Sequence, residues 1–241
     1  MNKGLLSASG QRRFYVAEYC STAHPLDDYK WLNLRDVVPG LGMPRTTRIE
    51  TPYTRRPFFC GLPVLQGRPR VAVGLKSKEP LDAYMPGGTK IISSRAKVLL
   101  EAIDPEAFEF SECDTETRRD RNVEDCWLCS VKRVVNEFDE ENSNFKTNSH
   151  LRPDHQARHD IHEMYEFKIP DLPEDIHAFY LSRFPRRMIF DDAIVDAWVS
   201  HGLTGMSFTP LQEPTDEEFK HRMEWLGANT VHWARERGLI K

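Results

Sequence analysis

No run of eighteen apolar residues occurs anywhere in the 241-residue chain, so no stretch of it reads as a membrane-spanning helix. The first residues, Met1 to Phe14, hold one two-leucine patch at Leu5 and Leu6, followed by Gln11, Arg12 and Arg13. That is no secretory segment, and a cytoplasmic location is expected. Cysteine is scarce and odd in number, five in all. Without an export signal this excludes a disulfide framework as the organising principle, and reduced thiols are the expectation. Positive charge is not in excess: 33 Lys and Arg stand against 37 Asp and Glu, a net −4, which speaks against direct nucleic-acid binding. The signatures of common active sites are also missing. There is no Gly-x-Ser-x-Gly elbow, no Gly-rich loop before Lys-Ser/Thr and no His-Glu-x-x-His. No catalytic residue and no cofactor are therefore expected.

What is present is a globular composition, 39% hydrophobic and 29% charged, in a length that suits one large domain or two closely packed halves. Charge is unevenly spread. Residues 1–103 carry 16 basic and 8 acidic side chains, 104–142 carry 5 and 13, and 143–241 carry 12 and 16. The middle stretch concentrates negative charge of the kind that steers a cationic partner.

The first third is punctuated by Pro39-Gly40, Gly42, Pro44, Pro57, Gly61, Pro63, Gly67, Pro69 and Gly74. Such spacing predicts strands and loops, with strand candidates at 14–19 and 71–73, and no long helix. After Pro86-Gly87-Gly88 the texture changes. Lys90 to Ile92 reads as a strand, Ser93-Ser94 as a helix cap, Ala96, Leu99, Leu100 and Ile103 as one helical face, and Phe108 and Phe110 as the next strand. The same grammar returns at Met188 to Phe190, Asp191-Asp192, then Ile194, Ala197 and Trp198, the turn Gly202-Leu203-Thr204-Gly205, and Met206 to Phe208. A constant offset of 98 lays Ile91 on Ile189, Ser93 on Asp191, Leu100 on Trp198 and Phe110 on Phe208 without a gap. An internal structural repeat is the expectation.

Further strands are expected at 127–135 and 177–181. The tail opens with a capping box, Thr215 to Glu218, and continues with Phe219, Met223 and Leu226 at i, i+4, i+7, which predicts helix. The expected fold class is α+β: mixed sheets with two related strand-helix-strand units and a C-terminal helical tail. Residues 1–88 form a loop- and strand-rich region and 89–241 the α+β region, together one compact two-lobed unit.

Two clusters imitate metal sites. Cys126-Trp127-Leu128-Cys129 has CxxC spacing, but in a strand residues three apart face opposite ways, so the two sulfurs do not converge. His155, His159 and His162, with His150 upstream, have helix-like spacing, yet Pro153 and the mixed charge around it read as an exposed polar loop. No metal is expected at either.

Trp127, Asp139-Glu140-Glu141-Asn142-Ser143, Phe179-Tyr180-Leu181, Asp191-Asp192 and Gly202 to Phe208 together resemble the bacterial polymorphic-toxin immunity proteins of immunity family eleven, formerly a domain of unknown function. The resemblance covers roughly residues 89–211, and Tyr180 stands where the family pattern has Arg. It implies binding rather than catalysis: an immunity protein that neutralises a cognate toxin acting in the cytosol, the toxin being for example a nuclease delivered by a specialised secretion system. On that reading the acidic stretch mimics phosphate for a basic toxin cleft, and Glu112, Asp114, Glu116, Glu137, Phe138, Asp139, Glu140 and Glu141 are the candidate partner-binding residues. Phe138 is the candidate apolar contact, with core packing as its other reading. Asp139 is the candidate turn-former as well. The alternatives are a small-molecule enzyme with a cleft between two α/β halves and a His-rich metal-binding regulatory module.

Overall fold

The computed structural model describes residues 12–19, 28–37, 61–76, 80–84, 90–117, 125–136, 138–151, 157–166, 168 and 172–211. The expected tail helix at 215–226 lies outside these residues. The elements are β1 (Phe14–Tyr19), β2 (Tyr29–Trp31), α1 (Leu34–Val37), β3 (Arg70–Val73), β4 (Ala83–Tyr84), β5 (Lys90–Ile92), α2 (Ser94–Ile103), β6 (Phe108–Glu112) and β7 (Asp114–Thr117). They continue with β8 (Trp127–Val131), β9 (Val134–Val135), β10 (Asn144–Leu151), β11 (Ala157–Glu166), β12 (Ala178–Leu181), β13 (Phe184–Asp191), α3 (Asp192–Ser200) and β14 (Met206–Pro210). The class is α+β with strands dominant. The sheet orders are β14-β1-β13-β12-β9, β4-β5-β8-β6, β2-β3-β7 and the hairpin β10-β11. Parallel pairs β9/β12 and β3/β7 among antiparallel ones make two of these sheets mixed.

The helices start where short oxygen-bearing side chains stand. The Ser93 hydroxyl accepts from the Ala96 amide and the Asp191 carboxylate from the Ile194 amide, each satisfying one of the orphan donors of a first helical turn. Between the strands they connect, both helices leave room for a third. β5 and β6 flank β8, and β13 and β14 flank β1. Leu128 faces both Ile91 and Ser111, and Val16 faces both Ile189 and Thr209. Outside them Ala83 pairs with Ile92 and Ala178 with Phe190. Ile91 and Ile189, Ile92 and Phe190, and Ser111 and Thr209 are each 98 residues apart, while Ala83 and Ala178 are 95 apart, so the same pairing pattern describes both four-strand sets with a three-residue difference in the chain before the outer strand. The middle strand alone differs in origin: β8 follows its unit in the chain, whereas β1 precedes its own.

The two sets bury one shared core, which takes in Leu100, Phe108, Trp198, Met206 and Phe208 with Tyr15, Ala83, Ala178 and Phe190. Leu100 and Trp198, at equivalent positions, are 1% and 0% exposed. Burying side chains of this size contributes roughly 2 kcal/mol each and drives the association of the two sets. Smaller clusters lie behind each sheet, Phe14, Val16, Phe179 and Ile189 behind one and Val71, Tyr84, Ile91 and Leu128 behind the other.

Two turns clasp the sets together. In the turn after α3, the Thr204 amide and hydroxyl donate to Asp82 at the start of β4 at 2.9 and 3.0 Å. In the turn after α2, Asp104 accepts from the His177 and Ala178 amides at the start of β12, at 2.8 and 3.3 Å, and from the Arg133 guanidinium. Asp82 also accepts from Ser93 and from Arg95 at 2.6 and 2.7 Å. Burial pushes this carboxyl up, but the hydrogen bonds from Arg95, Ser93 and Thr204 outweigh it and hold the group below the ordinary carboxylate range.

The polar stretch around the histidines corrects the loop expectation. Residues 144–151 and 157–166 pair as an antiparallel hairpin, with Ser149 opposite His159 and His150 opposite Arg158. The loop reading fails here because Pro153 and the mixed charge around it give no apolar alternation in the sequence, although Phe145 of β10 packs on the core behind β12 and β13. The expected single strand at 127–135 is likewise two, broken at Lys132-Arg133 where the chain passes from β8 to β9.

Two contrasts test this architecture. Gly202 and Gly205 both have positive φ, +62° and +93°, but an added Cβ meets nothing within 4 Å at Gly202 and lies 2.0 Å from the Ala83 carbonyl oxygen at Gly205. Gly202→Ala is expected to cost roughly 1 kcal/mol from backbone strain, and Gly205→Ala roughly 3 kcal/mol or more because the clasp must open; urea unfolding of the two variants measures the difference. Lys90, 3% exposed, occupies the register position of Met188, and burial lowers its pKa to about 8. The unfolded lysine binds its proton up to about pH 10.4, so this group's destabilising effect is full below pH 8 and fades as pH rises from there. Lys90→Met should therefore stabilise the fold at pH 7 by roughly 1–3 kcal/mol and lose that gain near pH 10.5. Melts across this range decide it.

Candidate functional site

The acidic stretch is one block in the sequence and two places in the fold. Its first part follows the strand that leaves the four-stranded sheet as β6 and enters the three-stranded sheet as β7. Cys113 is the pivot: its amide donates to the Cys126 carbonyl at 2.9 Å, and the next amide, of Asp114, donates to Pro69 at 2.8 Å. Because Cys113 is fully buried, strand alternation turns Glu112, Asp114 and Glu116 outward, and all three are exposed. Thr115 between them faces back and accepts from the Cys126 amide at 2.7 Å.

Basic residues from the first third meet this row. Arg68 contacts Asp114 at 2.9 Å, Glu112 at 3.2 Å and Asp125 at 3.3 Å, and Arg70 contacts Glu116 at 2.6 Å. Four carboxylates thus face two guanidiniums, and the face keeps a negative excess. The partners are about half exposed, so these pairs hold little energy and can exchange for those of another protein.

The second part lies on the turn between β9 and β10. Glu137 lies outside the described residues. Phe138 is half-buried, its ring edge-on to Phe145 at 5.5 Å and packed on the core behind β12 and β13. Asp139 holds the turn, accepting from the Asn142 amide at 3.0 Å and its side-chain nitrogen at 2.7 Å. Those bonds, the side-chain one foremost, place its carboxyl below the ordinary range. Glu140 is paired with Arg183, and Glu141 is exposed. The structure therefore brings Glu112, Asp114 and Glu116 together with Asp125, and sets Phe138 to Glu141 on another sheet. Sequence reasoning missed Asp125, Arg68 and Arg70. Asp125 ends the same acidic run, but no local pattern couples the arginines to carboxylates more than forty residues away.

The thiols do not form a reactive pair. Cys126 belongs to the cluster behind β5 and β8, and Cys129 to the shared core on the other face. Burial pushes Cys113 up to about 12 and Cys126 up to about 11, and Cys129 is pushed up too. At neutral pH they are protonated and poor nucleophiles. Among the described residues no group of three or more His, Cys, Asp or Glu could hold a metal ion, and no helix is long and apolar enough to cross a membrane.

Asp139→Ala is expected to loosen the 139–142 turn, raising exchange of the Asn142 amide hydrogen while the global melt is kept. Because the folded carboxyl titrates below the ordinary range, the protection should persist as pH falls through 4 and disappear only below it. Amide exchange measured between pH 3 and 6 checks both.

No curated protein matches the chain. The profile of the Immunity protein family (Imm11) matches residues 33–213, a span that begins well before the strand-helix-strand units and takes in β3 and β7 of the three-stranded sheet with Arg68 and Arg70. With three quarters of its length inside that match, the chain belongs to the Imm11 family of immunity proteins.

Proposed function

We propose that this immunity protein neutralises a cognate toxin domain in the cytosol by covering the toxin's active site with its carboxylate faces. The observation that carries the reading is the outward row of Glu112, Asp114 and Glu116 with Asp125 beside it, exposed and only partly neutralised. Carboxylates in a row on a stiff strand mimic the charge of a phosphate backbone, which suits the basic cleft of a nuclease, delivered by a specialised secretion system. The turn bearing Asp139, Glu140 and Glu141, which Glu137 precedes in the sequence, adds negative charge, and the part of the Phe138 ring left open offers an apolar contact. The chain acts as one two-lobed unit: residues 89–241 carry most of the core, and the first 88 complete it with β1 and β4. It binds and does not catalyse.

The test is association with the toxin encoded beside it, followed by stopped flow at two ionic strengths. Charge reversal of Asp114, Glu116 and Glu141 together to Lys should slow association about tenfold or more at low salt and flatten its salt dependence. These exposed side chains leave the melt unchanged. An unchanged rate in a folded triple variant would place toxin binding on another face.

A further inference from the structure

α2 and α3 lie against each other, and an apolar groove of about 580 Å³ runs along their outer side. Its walls include Val98, Leu99, Ile103, Ala197 and Leu203, with Arg95 and His201 at one end. That end is a single place, because Arg95 donates to the Gly202 carbonyl next to His201 at 3.3 Å. Val98 is 64% exposed, one of two large apolar side chains so exposed among the described residues. An open apolar channel of this size ordinarily has an occupant.

The chain itself supplies one. Leu211 ends the described residues with its amide donating to Phe14, beside the point where Asp192 of α3 donates to Arg13. Thirty residues follow, 212–241. From the start of α3 to His201 is roughly 14 Å along the helix, and the seven residues 212–218 reach up to roughly 23 Å when extended. Within them Asp216, Glu217 and Glu218 immediately precede the stripe Phe219, Met223 and Leu226. The stripe, about 11 Å long as helix, fits alongside α2, about 15 Å long. The acidic residues come within reach of Arg95, whose half-exposed guanidinium holds Asp82 and keeps an open side.

We propose that residues 215–226 of this chain dock as an amphipathic helix in the α2–α3 groove, with Phe219, Met223 and Leu226 filling it and the acidic first turn facing Arg95 and His201. The docked helix closes the shared core on its outer side and shields the peptide bonds after Lys220 and Arg222. This inference stands apart from the toxin reading and does not require it.

Limited trypsin digestion of the full chain tests it, reading cleavage after Lys220 and Arg222. Val98→Asp and Met223→Asp should each accelerate that cleavage about tenfold or more, with the core's circular dichroism unchanged. Val98→Lys should do the same, and adding Met223→Glu to it should restore protection through the new ion pair. Ala193→Asp, on an exposed part of α3 outside the groove, should leave the rate alone. Cleavage that ignores Val98→Asp overturns the proposal. So does a native dimer that Val98→Asp dissolves without changing cleavage, which would give the groove to a second copy, and so does a loss of toxin binding without changed cleavage, which would give it to the toxin.

Discussion

The two four-strand sets meet backbone to backbone at Gly205, where even a methyl group would sit 2.0 Å from the Ala83 carbonyl oxygen. Everything around it depends on that approach. It brings Thr204 within reach of Asp82, and the counterpart turn after α2 sets Asp104 against the amides of His177 and Ala178. Each turn therefore hydrogen-bonds at the start of the other set's outer strand, β4 or β12. An unpaired amide or carboxylate left there would cost roughly 1–3 kcal/mol, so the polar clasps and the core beneath them support each other. A second correspondence links cap to strand. Ser93 donates to Asp82 in one set, and in the other Asp191 takes the cap position and meets the His177 ring at 2.7 Å, with Arg12 at 2.9 Å. Donor and acceptor have exchanged places at equivalent positions while the geometry is kept.

Such a frame separates holding from binding. The buried carboxylates Asp82, Asp104 and Asp191 are saturated by donors of their own chain, and the thiols are kept protonated by burial. The outward carboxylates of β6 and β7 take no part in the clasps, and exposed ion pairs contribute little to stability. Their charge can vary without unfolding the protein. That freedom suits a protein whose surface must follow a particular partner, since specificity then changes through side chains on a strand whose position the core has already set.

The legible part of the fold was local. Strand, cap, helix and strand could be read at 90–110 and at 188–208 because the apolar period switches from two to 3.6 at a capping residue, and the offset of 98 then carried the register across both sets. The partners of these elements were not legible. Nothing in Phe14 to Tyr19 says that it fills the middle of a sheet built mainly from residues far along the chain, and a two-residue strand such as Ala83-Tyr84 carries no period at all. Asp82 stood unnoticed in a Pro- and Gly-rich stretch because its donors come from 11 to 122 residues away. The strands at 144–151 and 157–166 read as a loop because Pro153 and the mixed charge around it hide any period.

The acidic stretch shows the same limit at the candidate site. Counting charge along the chain treats residues 112–141 as one field, and the strand alternation that exposes Glu112, Asp114 and Glu116 was available in principle from Cys113 and Thr115 between them. What one-dimensional counting loses is the second strand. Parallel pairing of β3 with β7 puts Arg70 opposite Asp114 in register, and its neighbour Arg68 at the focus of three carboxylates. Partial neutralisation has a physical consequence for association. A bare cluster of carboxylates would repel itself, whereas the two guanidiniums offset part of that repulsion, the strand sets the spacing of the row, and an excess of negative charge is left for the partner. The basic first third, read from the sequence as a separate region, is in this way part of the acidic face.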